Sequence, residues 1–281
     1  AEGDTNTVVA TALTATKLNI PFAHVEAGLR SYDMTMPEEI NRKMVDAISD
    51  ICFAPTELAA INLAHEGIEY DRIYITGNTI VDIVLKYKDK AHKEGLKFLA
   101  ELEIESKNYF LVTVHRQENT ENKKRFISIF KALLKLTEHY PVILPAHPRT
   151  MSKLKQYGLY DKVINTKNFI LTKPLGYLRF LGLLMHARTV LTDSGGVQEE
   201  AFILGIPTVT LRYNTERPET VLYGVNTLAG ADYNKIIKLA LIKAENYYEI
   251  RKRVKKVENP LGDAKAGFKI ARTILENKEN I

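Results

Sequence analysis

Apolar runs of roughly six residues alternate along this chain with amphipathic stretches of about ten to twenty, the pattern left by repeated strand–helix–strand units around a parallel sheet. The runs predict strands at residues 22–25, 51–54, 73–76, 109–114, 142–145, 169–171, 189–192 and 208–211, with helices between them. The longest helical stretch, 79–102, is rich in lysine, and Lys88-Asp89-Lys90 marks a solvated face where a domain boundary is expected. That places one domain at 1–85 and a second at 86–262, with a C-terminal helix at 263–281 rejoining the first. Beyond Thr227 the pattern is helical: one helix over 232–257, a break at Asn259-Pro260-Leu261-Gly262, and a last helix from Asp263 to about Asn277.

In folds of this class ligands bind beyond the carboxyl ends of the strands, so the loops that follow strands are where chemistry is sought. Here those loops are Gly3-Asp4-Thr5, Glu26-Ala27-Gly28-Leu29-Arg30, Pro55-Thr56, Gly77-Asn78-Thr79, His115 to Asn119, His147-Pro148-Arg149 and Asp193-Ser194-Gly195-Gly196. Ionisable groups therefore converge on one edge.

Composition narrows the classes. No apolar run approaches the roughly 20 residues of a membrane helix, so a soluble protein is expected. The net charge of +5 is spread over helices and tail, with no basic block interleaved with aromatics, which argues against nucleic acid as partner. Cys52 is the only cysteine, so a disulfide within the chain is excluded, a cytoplasmic setting fits, and Ile51-Cys52-Phe53-Ala54 reads as buried packing. The start, AEGDTNTVV, is not a secretory signal; it lacks Met and opens at a loop, so a preceding strand and an N-terminally truncated chain are expected.

The segment Asp193-Ser194-Gly195-Gly196-Val197-Gln198-Glu199-Glu200 follows an apolar strand and opens a helix. Gly195 and Gly196 leave backbone N–H groups free at a helix N-terminus and Ser194 adds a hydroxyl, the makings of a diphosphate cradle, with Glu199 or Glu200 placed for ribose hydroxyls. The plainer alternative is a helix cap and a tight turn. Asp4, Glu26, Glu38 and His115 compete for acid and base roles. Glu38 and Arg42 stand four apart after Pro37 and share a helix face, which is also what an ordinary ion pair looks like. His115 and His147 end adjacent strands, but neither has metal-ligand spacing, so no metal site is expected.

Taken together, GDT (3–5), HVEAGLRS (24–31), PEEINR (37–42), FAPT (53–56), TGNTIVD (76–82), VTVHRQEN (112–119), LTDSGGVQEEAFILGIP (191–207) and RYNTERPE (212–219) resemble the non-hydrolysing UDP-N-acetylglucosamine 2-epimerases over nearly the whole chain. The resemblance implies a glycosyltransferase-B type α/β fold: two Rossmann-like parallel-sheet domains, the N-terminal one incomplete here by roughly a quarter of an ordinary member, and an active site in the cleft between them. It implies interconversion of UDP-N-acetylglucosamine and UDP-N-acetylmannosamine for polysaccharide biosynthesis, through elimination of UDP to 2-acetamidoglucal and readdition, with no cofactor. The partners implied are UDP-N-acetylglucosamine, UDP and a second copy in a homodimer.

By the same resemblance Asp4, Glu26 and Glu38 are the acid and base candidates, with the proton-removing carboxylate left open. His115 stands near the diphosphate, and Ser194, Gly195 and Gly196 form the cradle. Glu200 meets the ribose, Arg217 the phosphates and Phe180 the uracil, while Arg42 holds the carboxylates. Phe180 has core packing beside Leu183 and Leu184 as its alternative. Arg116, Glu118 and His147 are candidates for an allosteric contact. Three other functions share these motifs: a transferase of the same architecture, an epimerase that releases free sugar, and a UDP-sugar binding module without turnover.

Overall fold

Every apolar run predicted as a strand forms one, and all of them pair in parallel. The computed structural model describes residues 1–277, and the chain divides into two units. The first comprises Ala1–Leu85, Thr215–Arg217 and Asn259–Ile281, and the second Lys86–Asn214 and Pro218–Glu258. Residues 278–281, the end of the expected helix 263–281, lie outside the described residues.

In the first unit β1 (Ala23–Val25), β2 (Ile51–Ala54) and β3 (Ile73–Ile75) lie in that order, with Ala23 opposite Ile51 and Cys52 opposite Ile73. Strand β2 is buried at all four positions, as the central strand of a covered sheet must be. Helices Asn6–Lys17 and Pro37–Ile48 pack together through Val8, Ala12 and Val45 over Phe22. Cys52 is buried, and burial pushes its thiol up to about 12.

The second unit holds β4 (Phe110–Thr113), β5 (Val142–Pro145), β6 (Phe169–Thr172), β7 (Thr189–Thr192), β8 (Thr208–Thr210) and β9 (Asn226–Leu228), in the order β6-β5-β4-β7-β8-β9. The chain runs outward from β4 to β6 and returns to place β7 on the other side of β4. The strand order therefore reverses between β4 and β7, and the loops after these two strands flank the switch point. Phe126, Ile129, Phe130 and Leu133 of helix Lys123–Leu136 seal one face. Where helices Thr79–Glu101 and Tyr177–His186 cross, Gly95 and Gly182 meet backbone to backbone; a Cβ on either would lie within 2.7 Å of the other's Cα.

The helical tail departs from expectation in three places. Strand β9 is absent from the strands expected, which end at 208–211; three residues are too few to show alternation, and only pairing with β8 extends them. The helix expected over 232–257 is two, Tyr233–Glu245 and Tyr247–Val254. Asn246 leaves the helical path there, its side-chain amide donating to Ile242 O at 2.8 Å, so it ends one helix and starts the next. The last helix begins at Ala266 because the Asp82 carboxylate accepts from the Ala266 and Gly267 amides at 3.2 Å and fixes its first turn.

Candidate functional site

In the second unit, the loop after β7 presents Ser194 as the residue capping helix Gly195–Leu204, with extended backbone and no side-chain cap hydrogen bond. The hydroxyl is therefore not used as a cap, and the plainer reading of the segment loses its main support. A Cβ on Gly196 would meet nothing within 4 Å, so open space lies over this first turn, where helix amides lack intrahelical acceptors.

Asp193, one residue earlier, is fully buried and ties the loops of the switch point together. Its carboxylate accepts from the amides of His115 at 3.0 Å and Arg116 at 3.0 Å and from the side chain of Asn119 at 3.1 Å. Asn119 also donates to Leu211 O at 2.9 Å, bringing in the loop after β8. His115 Nδ1 stands 3.6 Å from Asp193 Oδ1. Burial pushes the His115 imidazole below its usual value, Asp193 opposes this, and Arg116, His147 and Arg149 add to it. His147 is exposed, 5.7 Å from His115 between ring centroids, and its Nδ1 accepts from the Arg149 amide as a helix cap. Glu118 pairs with buried Arg212 at 2.9 Å.

Glu200 lies on the helix that Gly195 and Gly196 open, 6% exposed. Burial pushes its carboxyl up to about 7, and a hydrogen bond from the Tyr177 hydroxyl only partly offsets the rise. Phe180, half-buried, packs against the core cluster that contains Leu183 and Leu184.

The first unit gathers the carboxylates. Asp4 accepts from Arg42 Nε at 3.1 Å and Nη2 at 2.6 Å. Arg42, 2% exposed, also meets Glu39 at 2.9 Å and Glu216 at 3.6 Å. Glu26 follows β1 with φ of 71°, a left-handed conformation rare for a side-chain-bearing residue, and its Oε1 stands 3.8 Å from Arg217. Burial holds the Glu26 carboxyl above its ordinary value; Arg217 and Arg42 work against the rise, and Glu2 and Asp4 add to it. Glu38 is half-buried on the first turn of helix Pro37–Ile48, where Pro37 occupies a first-turn position.

Three groups escaped the sequence reading. Glu39 is a fully buried neighbour of Glu38, and Asp46 holds His24 at 2.5 Å and the Gly28 amide at 3.0 Å. Glu39, Arg42 and Asp46 recur at helical spacing of three and four, a polar stripe facing inward, and that periodicity was the available signal. Tyr177, the partner of Glu200, sits 23 positions away on another helix and left none.

A family model for UDP-N-acetylglucosamine 2-epimerase matches residues 1–275. The UDP-N-acetylglucosamine 2-epimerase of Methanocaldococcus jannaschii is 47% identical over 283 residues, covering 99% of this chain and 75% of its own. The UDP-2,3-diacetamido-2,3-dideoxy-D-glucuronate 2-epimerase of Pseudomonas aeruginosa is 43% identical over 242 residues, covering 85% of this chain and 65% of its own. A crystal structure of the Methanocaldococcus jannaschii UDP-GlcNAc 2-epimerase in complex with UDP-GlcNAc and UDP matches with a TM-score of 0.90 at 46% identity, over 98% of this chain and 74% of that one. The α/β architecture of two parallel sheets is thus of the glycosyltransferase-B type, and the chain belongs to the UDP-N-acetylglucosamine 2-epimerase family.

Proposed function

We propose that this protein interconverts UDP-N-acetylglucosamine and UDP-N-acetylmannosamine by removing and restoring the hydrogen at C2. The C2–H and C1–O bonds break, the C–H electron pair becomes the C1=C2 bond of 2-acetamidoglucal, and UDP departs. A proton then reaches C2 on the opposite face, and a diphosphate oxygen re-forms the bond to C1. The observation that carries this reading is the carboxylate cluster of the first unit. Asp4 is clamped by the Arg42 guanidinium, and Glu26, beside Arg217, has its carboxyl held above the ordinary value by burial, so carboxylates and guanidinium groups are gathered at one place. Capture of UDP alone requires neither carboxylate.

Asp4, Glu26 and Glu38 are the acid and base groups in this reading, and His115 stands by the departing diphosphate. Ser194, Gly195 and Gly196 receive the diphosphate, Glu200 the ribose and Phe180 the uracil. Arg217 supplies positive charge to the phosphates, and Arg42 orients the carboxylates. Arg116, Glu118 and His147, beside His115, are proposed contacts for a second nucleotide sugar. Leu13, Ile40 and Met44, exposed on two helices of the first unit, support self-association as a homodimer, and a reduced, buried Cys52 suits the cytoplasm. Among the described residues no helix is long and apolar enough to cross a membrane.

Incubation with UDP-N-acetylglucosamine in deuterium oxide tests the reaction: label should enter C2 in step with epimerisation. Epimerisation without label excludes elimination, free N-acetylmannosamine marks the hydrolysing variant, and binding without turnover marks a binding module. Turnover of the diacetamido-glucuronate nucleotide in preference would reassign the sugar.

A further inference from the structure

The proposed reaction assigns Glu39 no chemical role, yet the donors it serves belong to segments that carry assigned residues: the loop that Glu26 opens, and Arg42. Its carboxylate is fully buried and accepts from the Ser31 amide at 2.9 Å, the Ser31 hydroxyl at 3.0 Å, the Tyr32 amide at 3.0 Å and Arg42 Nη1 at 2.9 Å. Ser31 and Tyr32 close the loop that Glu26 opens, and Tyr32, like Glu26, has positive φ, at 58°. A backbone in that region persists only where its surroundings hold it, and two amide bonds to one buried carboxylate do so. The fourth donor, Arg42, directs its remaining edge, Nε and Nη2, at Asp4. With Nη1 anchored on Glu39, the planar guanidinium has one orientation left, and that orientation serves Asp4.

We propose that Glu39 is a positioning residue of the epimerase site: it fixes the Ser31–Tyr32 turn and aims Arg42 at Asp4, and so sets the geometry of the acid and base groups without touching substrate. This rests on the proposed reaction. A neighbouring carboxylate, Asp46, serves the other end of the same loop through His24, Gly28 and Arg30, so the loop is held at both ends by one helix.

Two variants of the whole chain test it. Glu39→Gln keeps the size but turns one acceptor into a donor against an amide and removes the charge facing Arg42. It should lower kcat for C2 exchange by about 10- to 100-fold, the scale of a catalytic group displaced by a fraction of an ångström to an ångström, with KM and UDP affinity within about threefold of wild type. Glu39→Asp keeps the charge with a shorter reach and should recover part of kcat. A second readout does not involve turnover. The Arg42 Nε–H resonance, shielded by its bond to Asp4, should exchange with water faster in Glu39→Gln than in wild type.

A folded Glu39→Gln with wild-type kcat, or with an unchanged Arg42 Nε–H exchange rate, would overturn the proposal, as would a fall in kcat matched by an equal loss of UDP affinity. Should Glu39→Gln not fold, Glu39→Asp decides, since kcat and Nε–H exchange both equal to wild type would refute the role. If wild type itself never incorporates deuterium, the epimerase reading fails, and the Arg42 resonance still judges the positioning.

Discussion

Glu200 gives the sharpest quantitative test, because its burial is an energetic liability in the free protein. An unfolded chain ionises a glutamate at its ordinary value near 4.5, whereas the folded chain holds Glu200 at about 7. Between those values the folded state keeps a proton that the unfolded state has lost. Protonated Glu200 therefore favours folding fully below pH 4.5, and that contribution disappears as pH rises through 7. The gap of about 2.5 units corresponds to roughly 3 kcal/mol as an upper bound, at about 1.4 kcal/mol per unit. Glu200→Gln keeps an acceptor for Tyr177 and has nothing to ionise. The stability of the variant minus that of wild type should thus rise by up to roughly 3 kcal/mol between pH 5 and pH 8. Hydrogen exchange of the β7 and Gly195–Leu204 amides, compared at each pH, isolates the second unit.

Nucleotide adds a second arm. Ribose hydroxyls that donate to Glu200 favour the ionised carboxylate, so UDP binding at pH 6 should expel most of one proton, and none above about pH 9. Calorimetry in buffers of different ionisation enthalpy counts those protons, and subtracting the Glu200→Gln result removes the titration of the nucleotide itself. Equal pH trends for the two proteins, or equal proton release, would refute both the buried acid and its ribose role.

Glu26→Gln and Asp4→Asn should each reduce C2 exchange by about 10²- to 10⁴-fold while UDP affinity measured by calorimetry stays near wild type, since they alter the acid and base groups and not the cradle. Gly28→Ala should lose about 2 kcal/mol or more in urea unfolding, because φ is 82° and the new Cβ would lie 2.2 Å from the Ala59 carbonyl oxygen. Asp193→Asn removes the charge that raises His115, so the ring should titrate still lower by NMR, with faster exchange at the His115 and Arg116 amides. An unmoved His115 titration would dissociate it from Asp193.

The strand ladder was legible because a doubly covered parallel sheet writes itself as short continuous apolar runs. Phe110 to Thr113 and Thr189 to Thr192 are buried at every position, and burial on both faces leaves no room for polar alternation. The loops that follow were legible for a related reason: a charged residue directly after such a run stands at the carboxyl edge. Strand β9 was not, since Asn226, Thr227 and Leu228 owe their extension to Thr208, Val209 and Thr210 beside them. The break at Asn246 was hidden because Asn is tolerated within helices and only its side-chain bond to Ile242 O reveals the turn. Glu39 and Asp46 failed for a deeper reason. On a helix with a strongly polar face a carboxylate reads as solvated, and although the three-and-four spacing of Glu39, Arg42 and Asp46 marks a shared face, nothing local states that this face meets the loop that follows β1.

That last failure points to how the first unit is built. Residues 24–32 contain two side-chain-bearing residues with positive φ, Glu26 and Tyr32, and the neighbourhood buries Arg30, Glu39, Arg42 and Asp46. Each feature alone would be unfavourable, by roughly 1–3 kcal/mol for a sparsely populated backbone conformation and by more for an unpaired buried charge. Here each offsets another. The buried carboxylates need donors, and the strained loop offers amides turned inward; the loop needs anchors, and one helix face provides two. A hydrophobic face on that helix would have been simpler to fold, but it would not have held the Glu26 carboxyl over Gly3, where an added Cβ would lie 3.8 Å from Glu26 Oε2. The polar stripe is thus the cost of fixing an ionisable side chain at the end of a three-residue strand. It follows that changes at Glu39 or Asp46 should alter catalysis before they alter the fold of the second unit, whose own core contains neither.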